Sequence, residues 1–157
     1  MKDLFTRLVH KLKEKGLTIS CAESCTGGLI AKYITDISGA SSVFCGGVVS
    51  YVNQVKMGVL GVLPSTIDKY TEVSYECAME MAKCVKELMS TDIGISTTGF
   101  AGPGGGTDKD PVGTVYVGIA YGDYCKSVRL SLGTTLTREE IRDKACYELI
   151  SLLIEKI

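Results

Sequence analysis

A strand-like run that passes into a helix-like one through a pair of glycines constrains this sequence more than any other feature. Leu17-Thr18-Ile19-Ser20-Cys21 is apolar and rich in β-formers, whereas Ile30, Tyr33, Ile34 and Ile37 recur at helical spacing behind Gly27 and Gly28. The junction Ala22-Glu23-Ser24-Cys25-Thr26-Gly27-Gly28 therefore joins a buried strand to a helix. N–H groups at a helix start carry partial positive charge and lack intrahelical partners, so a serine there faces a place that can hold an anion or a developing oxyanion. The plainer use of the same residues is capping, with Ser24 or Thr26 as the N-cap.

The rest of the chain alternates between the two periods. Leu4, Phe5, Leu8, Val9 and Leu12 mark an N-terminal helix whose last turns carry Lys11, Lys13 and Lys15, with Gly16 as its stop. Residues 43–51, rich in β-formers and split by Gly46-Gly47, read as a central strand with a close backbone approach. A short helix over 53–60 and a turn over 61–64 follow. Ala78, Met81, Ala82, Val85, Leu88 and Met89 line one face of a helix capped by Ser74. Residues 92–98 read as a strand, and 113–121 and 124–132 as two strands joined at Gly122-Asp123, a hairpin signal. A final helix over 137–154 opens with the capping box Thr137-x-x-Glu140. This order predicts one α/β domain over residues 1–157, a mixed, mostly parallel sheet with helices on both faces and a late β-hairpin. The long irregular segment 99–111 follows a strand, where ligands gather in open α/β sheets.

Composition narrows the function classes. With 17 basic and 18 acidic residues and a formal charge of −1, the 157-residue chain has no field to attract a polyanion, so no nucleic-acid partner is expected. The seven cysteines form no Cys-x-x-Cys pair and read as buried thiols of a reducing compartment. The single histidine, His10, lies on the N-terminal helix among lysines, so neither a metal site nor a Ser-His-Asp triad is expected. No apolar run approaches the ~20 residues of a membrane span, and no signal peptide is read at the N-terminus. The expected setting is cytoplasmic, with no membrane partner.

Five segments, in order and spacing, carry a family resemblance: Glu23-Ser-Cys-Thr-Gly-Gly28, Gly46-Gly-Val-Val-Ser-Tyr51, Asn53-x-x-Lys56, Thr97-Thr-Gly-x-Ala-Gly-Pro103 and Pro111-Val-Gly-Thr-Val115. Together they resemble the C-terminal domain of the competence-damage-inducible CinA proteins, whose stand-alone members are nicotinamide-nucleotide amidohydrolases. The resemblance implies hydrolysis of the carboxamide of nicotinamide mononucleotide to nicotinate mononucleotide and ammonia. It implies Ser24 as nucleophile, Lys56 as base, and Tyr51, Ser41, Thr98 and Arg138 at the active site. No cofactor is implied, and a homo-oligomer, dimer or larger, is. The alternative is a non-catalytic nucleotide-binding or protein-interaction module. The family often has an acidic residue after Pro103, where this chain has Gly104.

The chemistry is coherent apart from the name. Without a usable histidine, a lysine can activate the serine, as in Ser-Lys variants of nucleophilic catalysis. An unperturbed lysine, pKa ~10.4, is almost wholly protonated near neutrality, so Lys56 needs burial or a neighbouring cation such as Arg138, Arg142 or the substrate pyridinium. Backbone N–H groups from Cys25 to Gly28, with Thr26 and Gly27 close to the substrate, are the expected oxyanion donors. Consecutive N–H groups from Gly102 to Thr107, with Arg138 or Arg142, are the expected phosphate cradle. Tyr51 could stack on the ring or relay protons to Lys56.

Overall fold

The computed structural model describes residues 1–157. Five strands form one sheet in the order β2-β1-β3-β4-β5: β1 Ile19–Glu23, β2 Phe44–Val49, β3 Ile93–Gly99, β4 Thr114–Tyr121 and β5 Tyr124–Ser131. β2, β1 and β3 run parallel, while β3–β4 and β4–β5 pair antiparallel, the latter through the expected turn at Gly122-Asp123. Six helices accompany them: α1 Lys2–Lys15, α2 Leu29–Thr35, α3 Asn53–Val55, α4 Pro64–Tyr70, α5 Tyr75–Leu88 and α6 Arg138–Lys156.

Both faces of the sheet are covered, as the alternation of elements requires. Successive β1 residues point to opposite sides. Ile19 and Cys21 join the larger core with Leu8, Leu12, Ile34, Ile141 and Leu149 from α1, α2 and α6. Ala22 faces the other way, onto Cys77, Met81 and Val85 of α5. Helix α5 lies so close to the sheet that a Cβ at Gly94 would collide with the Ala82 carbonyl, and one at Gly118 with the Ala78 carbonyl. The helix ends behave as expected: Gly16 stops α1 in a left-handed turn, Ser74 Oγ accepts the Cys77 N–H at 3.1 Å, and Thr137 and Glu140 form a reciprocal capping box.

Two expectations change. Residues 43–51 do not form a central strand: β2 is an edge strand, its residues alternating between half-buried and exposed, with a register irregularity beside Ile19/Ser20. The close approach is real but one-sided, because a Cβ at Gly47 would sit 2.6 Å from Cys21 Sγ. The chain beyond Gly61 does not stop at a turn. It forms α4, which starts with Pro64 at its first turn and buries none of its residues, so no apolar stripe announces it.

Candidate active site

The register of the parallel strands assembles the site. Glu23 pairs with Val49 on one side and Thr97 on the other, so Ser50, Ser24 and Thr98 lie one step further, at the carboxyl ends of β2, β1 and β3. The ladder continues into that row: Ser24 N–H donates to the Thr97 carbonyl at 3.0 Å, and Ser50 N–H to the Glu23 carbonyl at 2.8 Å. After Ser50 the chain turns through α3 into a π-helical turn, Lys56–Leu60, an element frequent at functional sites. That turn drives Lys56 back under the sheet end. Its Nζ lies 3.0 Å from Ser24 Oγ and donates to the Ser50 carbonyl at 2.8 Å. Lys56 is only 1% exposed, and burial pulls its pKa below the ordinary lysine value, against weaker opposing effects from Cys77, Glu72 and Cys25. No cation is among the causes, so desolvation rather than Arg138 or Arg142 depresses it.

Glu23 explains why Ser24 is free to meet Lys56. This carboxylate, 1% exposed, accepts hydrogen bonds from Thr26 Oγ1 at 2.7 Å and from the amides of Gly28, Ile30 and Ala31 at 3.0, 3.0 and 2.9 Å. It satisfies the start of α2 from the preceding strand, so neither Ser24 nor Thr26 caps that helix. Two expectations are corrected as a result. Thr26 is fully buried, its hydroxyl committed to Glu23 and Thr97, and does not reach the cleft. Gly27 is exposed outside the cleft, and its N–H is bound to the Ser24 carbonyl at 3.1 Å. Only the Cys25 and Thr26 amides of the turn donate to no protein oxygen, and of the two residues only Cys25 lines the cleft, so its amide remains for an oxyanion. The Cys25 thiol beside Ser24 is pushed up to about 12 by burial, so it stays protonated near neutrality and leaves the hydroxyl as the group poised for attack.

Ser24 and Lys56 open into a cleft of about 460 Å³, also lined by Tyr51, Glu72, Thr98, Phe100, Gly102 and Arg138. The fold thus gathers six of the expected site residues: Ser24, Lys56, Tyr51, Thr98, Gly102 and Arg138. Ser41 is not with them. It is exposed in a 3-10 turn, Ala40–Ser42, ahead of β2, so the length of the parallel strands separates it from Ser24 at their far ends. Thr98 Oγ1 donates to the Glu72 carbonyl at 2.6 Å, and Tyr51, 57% exposed, accepts from the Arg138 guanidinium at 2.8 Å. Arg138 also donates to the Gly102 carbonyl at 2.7 Å, and it lines a second groove with Gly104, Gly105, Gly106 and Thr107. Arg142 points elsewhere, holding the Thr26 carbonyl at 2.7 Å.

Sequence reasoning assigned no role to the residues that hold this frame. Asp110 anchors the glycine-rich segment: buried, it accepts from Tyr116 Oη at 2.8 Å and Arg129 Nε at 3.1 Å, while the Thr107 N–H donates to its carbonyl at 2.9 Å. An acidic residue closing a glycine-rich loop, or closing an apolar strand as Glu23 does, is the only signal either one leaves. No three His, Cys, Asp or Glu side chains converge in a metal-binding arrangement, and no helix is long and apolar enough to cross a membrane.

A strand-end serine facing a buried lysine on a mixed α/β sheet defines the class of site. The sequence model of the CinA C-terminal domain matches residues 1–157, and the chain belongs to that family. A CinA-like protein of Trichormus variabilis is 46% identical over 147 residues, 93% of this chain but 35% of its own length. A CinA-like protein of Leptospira borgpetersenii is 53% identical over 117 residues, 74% of this chain and 28% of its own length. This chain therefore spans only about a third of such curated relatives. Among solved structures, the competence/damage inducible protein CihA from Agrobacterium tumefaciens superposes with a TM-score of 0.94 at 34% identity, covering 98% of this chain and 93% of that one. A CinA superfamily protein from Enterobacter cloacae gives 0.93 at 28% identity, covering 99% and 90%.

Proposed function

We propose that this protein hydrolyses the carboxamide of nicotinamide mononucleotide to nicotinate mononucleotide and ammonia. The observation that carries the reading is the 3.0 Å approach of a buried lysine amine, its pKa lowered by burial, to the hydroxyl of Ser24. As the neutral amine, Lys56 keeps one N–H on the Ser50 carbonyl and receives the Ser24 proton on its lone pair while Ser24 Oγ attacks the carboxamide carbon. The amide of Cys25, which lines the cleft beside Ser24 and donates to no protein oxygen, is the donor available to the resulting oxyanion. The ammonium of Lys56 then gives its proton to the departing ammonia, leaving an acyl ester on Ser24. Water, deprotonated by the same amine, cleaves that ester and releases the acid. The cationic ring of the substrate withdraws electrons from its carboxamide and eases attack. Arg138 and the unpartnered amides of Gly104, Gly105 and Gly106 supply positive charge and N–H groups for the phosphate. A cleft of about 460 Å³ suits a mononucleotide.

The test is incubation of purified protein with nicotinamide mononucleotide, measuring ammonia and nicotinate mononucleotide. Equal release of both by the wild type, abolished in Ser24→Ala, supports the reading. Release that survives Ser24→Ala refutes the covalent route, and no release from the wild type refutes the substrate.

A further inference from the structure

The cleft holds a carboxylate that the chemistry above does not use. Glu72 lies on the turn between α4 and α5, half-buried, and lines the cleft with Ser24 and Lys56. Its carboxylate accepts no hydrogen bond and joins neither of the two ion pairs in the structure, Lys32–Asp36 and Arg129–Asp110. Its main chain, by contrast, is firmly placed. Thr98 Oγ1 holds its carbonyl, and the preceding Thr71 adopts φ 70°, ψ 168°, a conformation costly for a β-branched residue. That turn is fixed by the Thr71 N–H on the Ile67 carbonyl at 2.9 Å and by Ser74 Oγ on the Thr71 carbonyl at 2.9 Å.

An unpaired anion beside a lysine whose charge is already penalised by burial is a poor arrangement for an empty cleft and a good one for a cationic guest. The cleft is also bipolar. Glu72 and Lys56 line only the reacting chamber, whereas Arg138 lines both that chamber and the glycine-rich groove beside it. A ligand with a cationic ring at one end and a phosphate at the other matches both charges in one orientation only. We propose that Glu72 is a specificity residue, whose carboxylate selects amides borne on a cationic ring over neutral amides of the same shape. The inference rests on the functional reading above and names what that site discriminates.

The same residue couples binding to the base. The ionisable groups facing Lys56 are Cys25 from the turn after β1, Cys77 from α5 and Glu72, with Tyr51 and Arg138 elsewhere on the cleft wall. Burial pushes both thiols up to about 12, so near neutrality Glu72 is the charged group among them acting to keep a proton on Lys56. A cationic ring seated against Glu72 cancels that pull, and the amine gives up its proton as the substrate arrives.

The experiment compares 1-methylnicotinamide with its neutral isostere 3-methylbenzamide, titrated by NMR into wild-type protein and Glu72→Gln. The wild type is expected to bind the cation about fivefold more tightly, the scale of a half-exposed ion pair, and the glutamine variant to bind the two equally. A second readout is the pH profile of kcat/KM for the nucleotide, whose acidic limb moves to lower pH in Glu72→Gln because a charge favouring protonated Lys56 is gone. Equal affinities in the wild type, binding of neither compound, or an undiminished preference in the variant overturns the proposal. Ammonia release from nicotinamide mononucleotide tests the functional reading separately: the isostere preference can hold in a protein that leaves that nucleotide intact, and deamidation can occur without the preference.

Discussion

Glu23→Gln changes one atom of the side chain that organises the nucleophile turn, and its cost follows from the donors it serves. Glu23 Oε2 accepts from Thr26 Oγ1, Gly28 N and Ile30 N, and Oε1 accepts from Ala31 N. Every one of these groups donates, so an amide NH2 in either position meets a backbone N–H that has no other partner. Leaving a buried donor unsatisfied costs about 1–3 kcal/mol, and the variant also loses the strength of charge-assisted bonds at the site, so about 2–4 kcal/mol is expected in all. For a chain of this size that lowers Tm by about 4–16 °C. Thr26→Val, which removes one donor and keeps the volume, should cost about 1 kcal/mol. Thermal and urea unfolding of both variants read the stability, and ammonia release reads the turn, with turnover expected to fall in Glu23→Gln because Ser24 is the next residue. Unfolding of Glu23→Gln within about 1 °C of wild type, with unchanged turnover, would refute the idea that this carboxylate builds the turn.

Four further outcomes follow from the same geometry. Lys56→Met should lose at least ~100-fold in turnover while raising Tm by a few degrees, because it removes a buried amine whose ionisation the fold penalises. In the wild type the unfolded chain binds the Lys56 proton up to ~10.4 and the folded chain releases it at lower pH, so this group makes stability rise with pH across that window, a slope Lys56→Met should lose in pH-dependent urea unfolding. Asp110→Asn should destabilise by about 1–2 kcal/mol and raise KM more than it lowers kcat, since it loosens the glycine-rich segment and leaves Ser24 and Lys56 in place. Tyr51→Phe should leave kcat within about threefold and raise KM, because the hydroxyl meets Arg138 rather than Lys56; a large fall in kcat would restore the proton relay.

Much of the scaffold was legible because local chemistry and burial agree. Ser74, the Thr137–Glu140 box, the Gly122-Asp123 hairpin and the apolar faces of α1, α5 and α6 each state their element in a few adjacent residues. Helix α4 was not legible, since it buries no residue and presents only Pro64 as a start signal. The edge position of β2 was equally hidden, because a Gly-Gly strand reads as closely packed whether one neighbour or two approach it. At the site, Ser24 and Lys56 were singled out, yet their separation of 32 residues says nothing of a 3.0 Å approach until the π-helical turn closes it. Thr26 illustrates the opposite case. A threonine in a glycine-rich turn reads as ligand-facing, and only the buried Glu23 turns it inward. Glu72 left no pattern at all, because its meaning comes from the cleft it enters.

The most direct measurement follows the Lys56 side chain itself, through the NMR shift of its ε-carbon across pH, assigned by its loss in Lys56→Arg. A titration midpoint well below ~10.4, matched by the acidic limb of the deamidation rate, is the expected result. A midpoint at or above the ordinary lysine value would leave a permanent ammonium beside Ser24, with no base to take its proton.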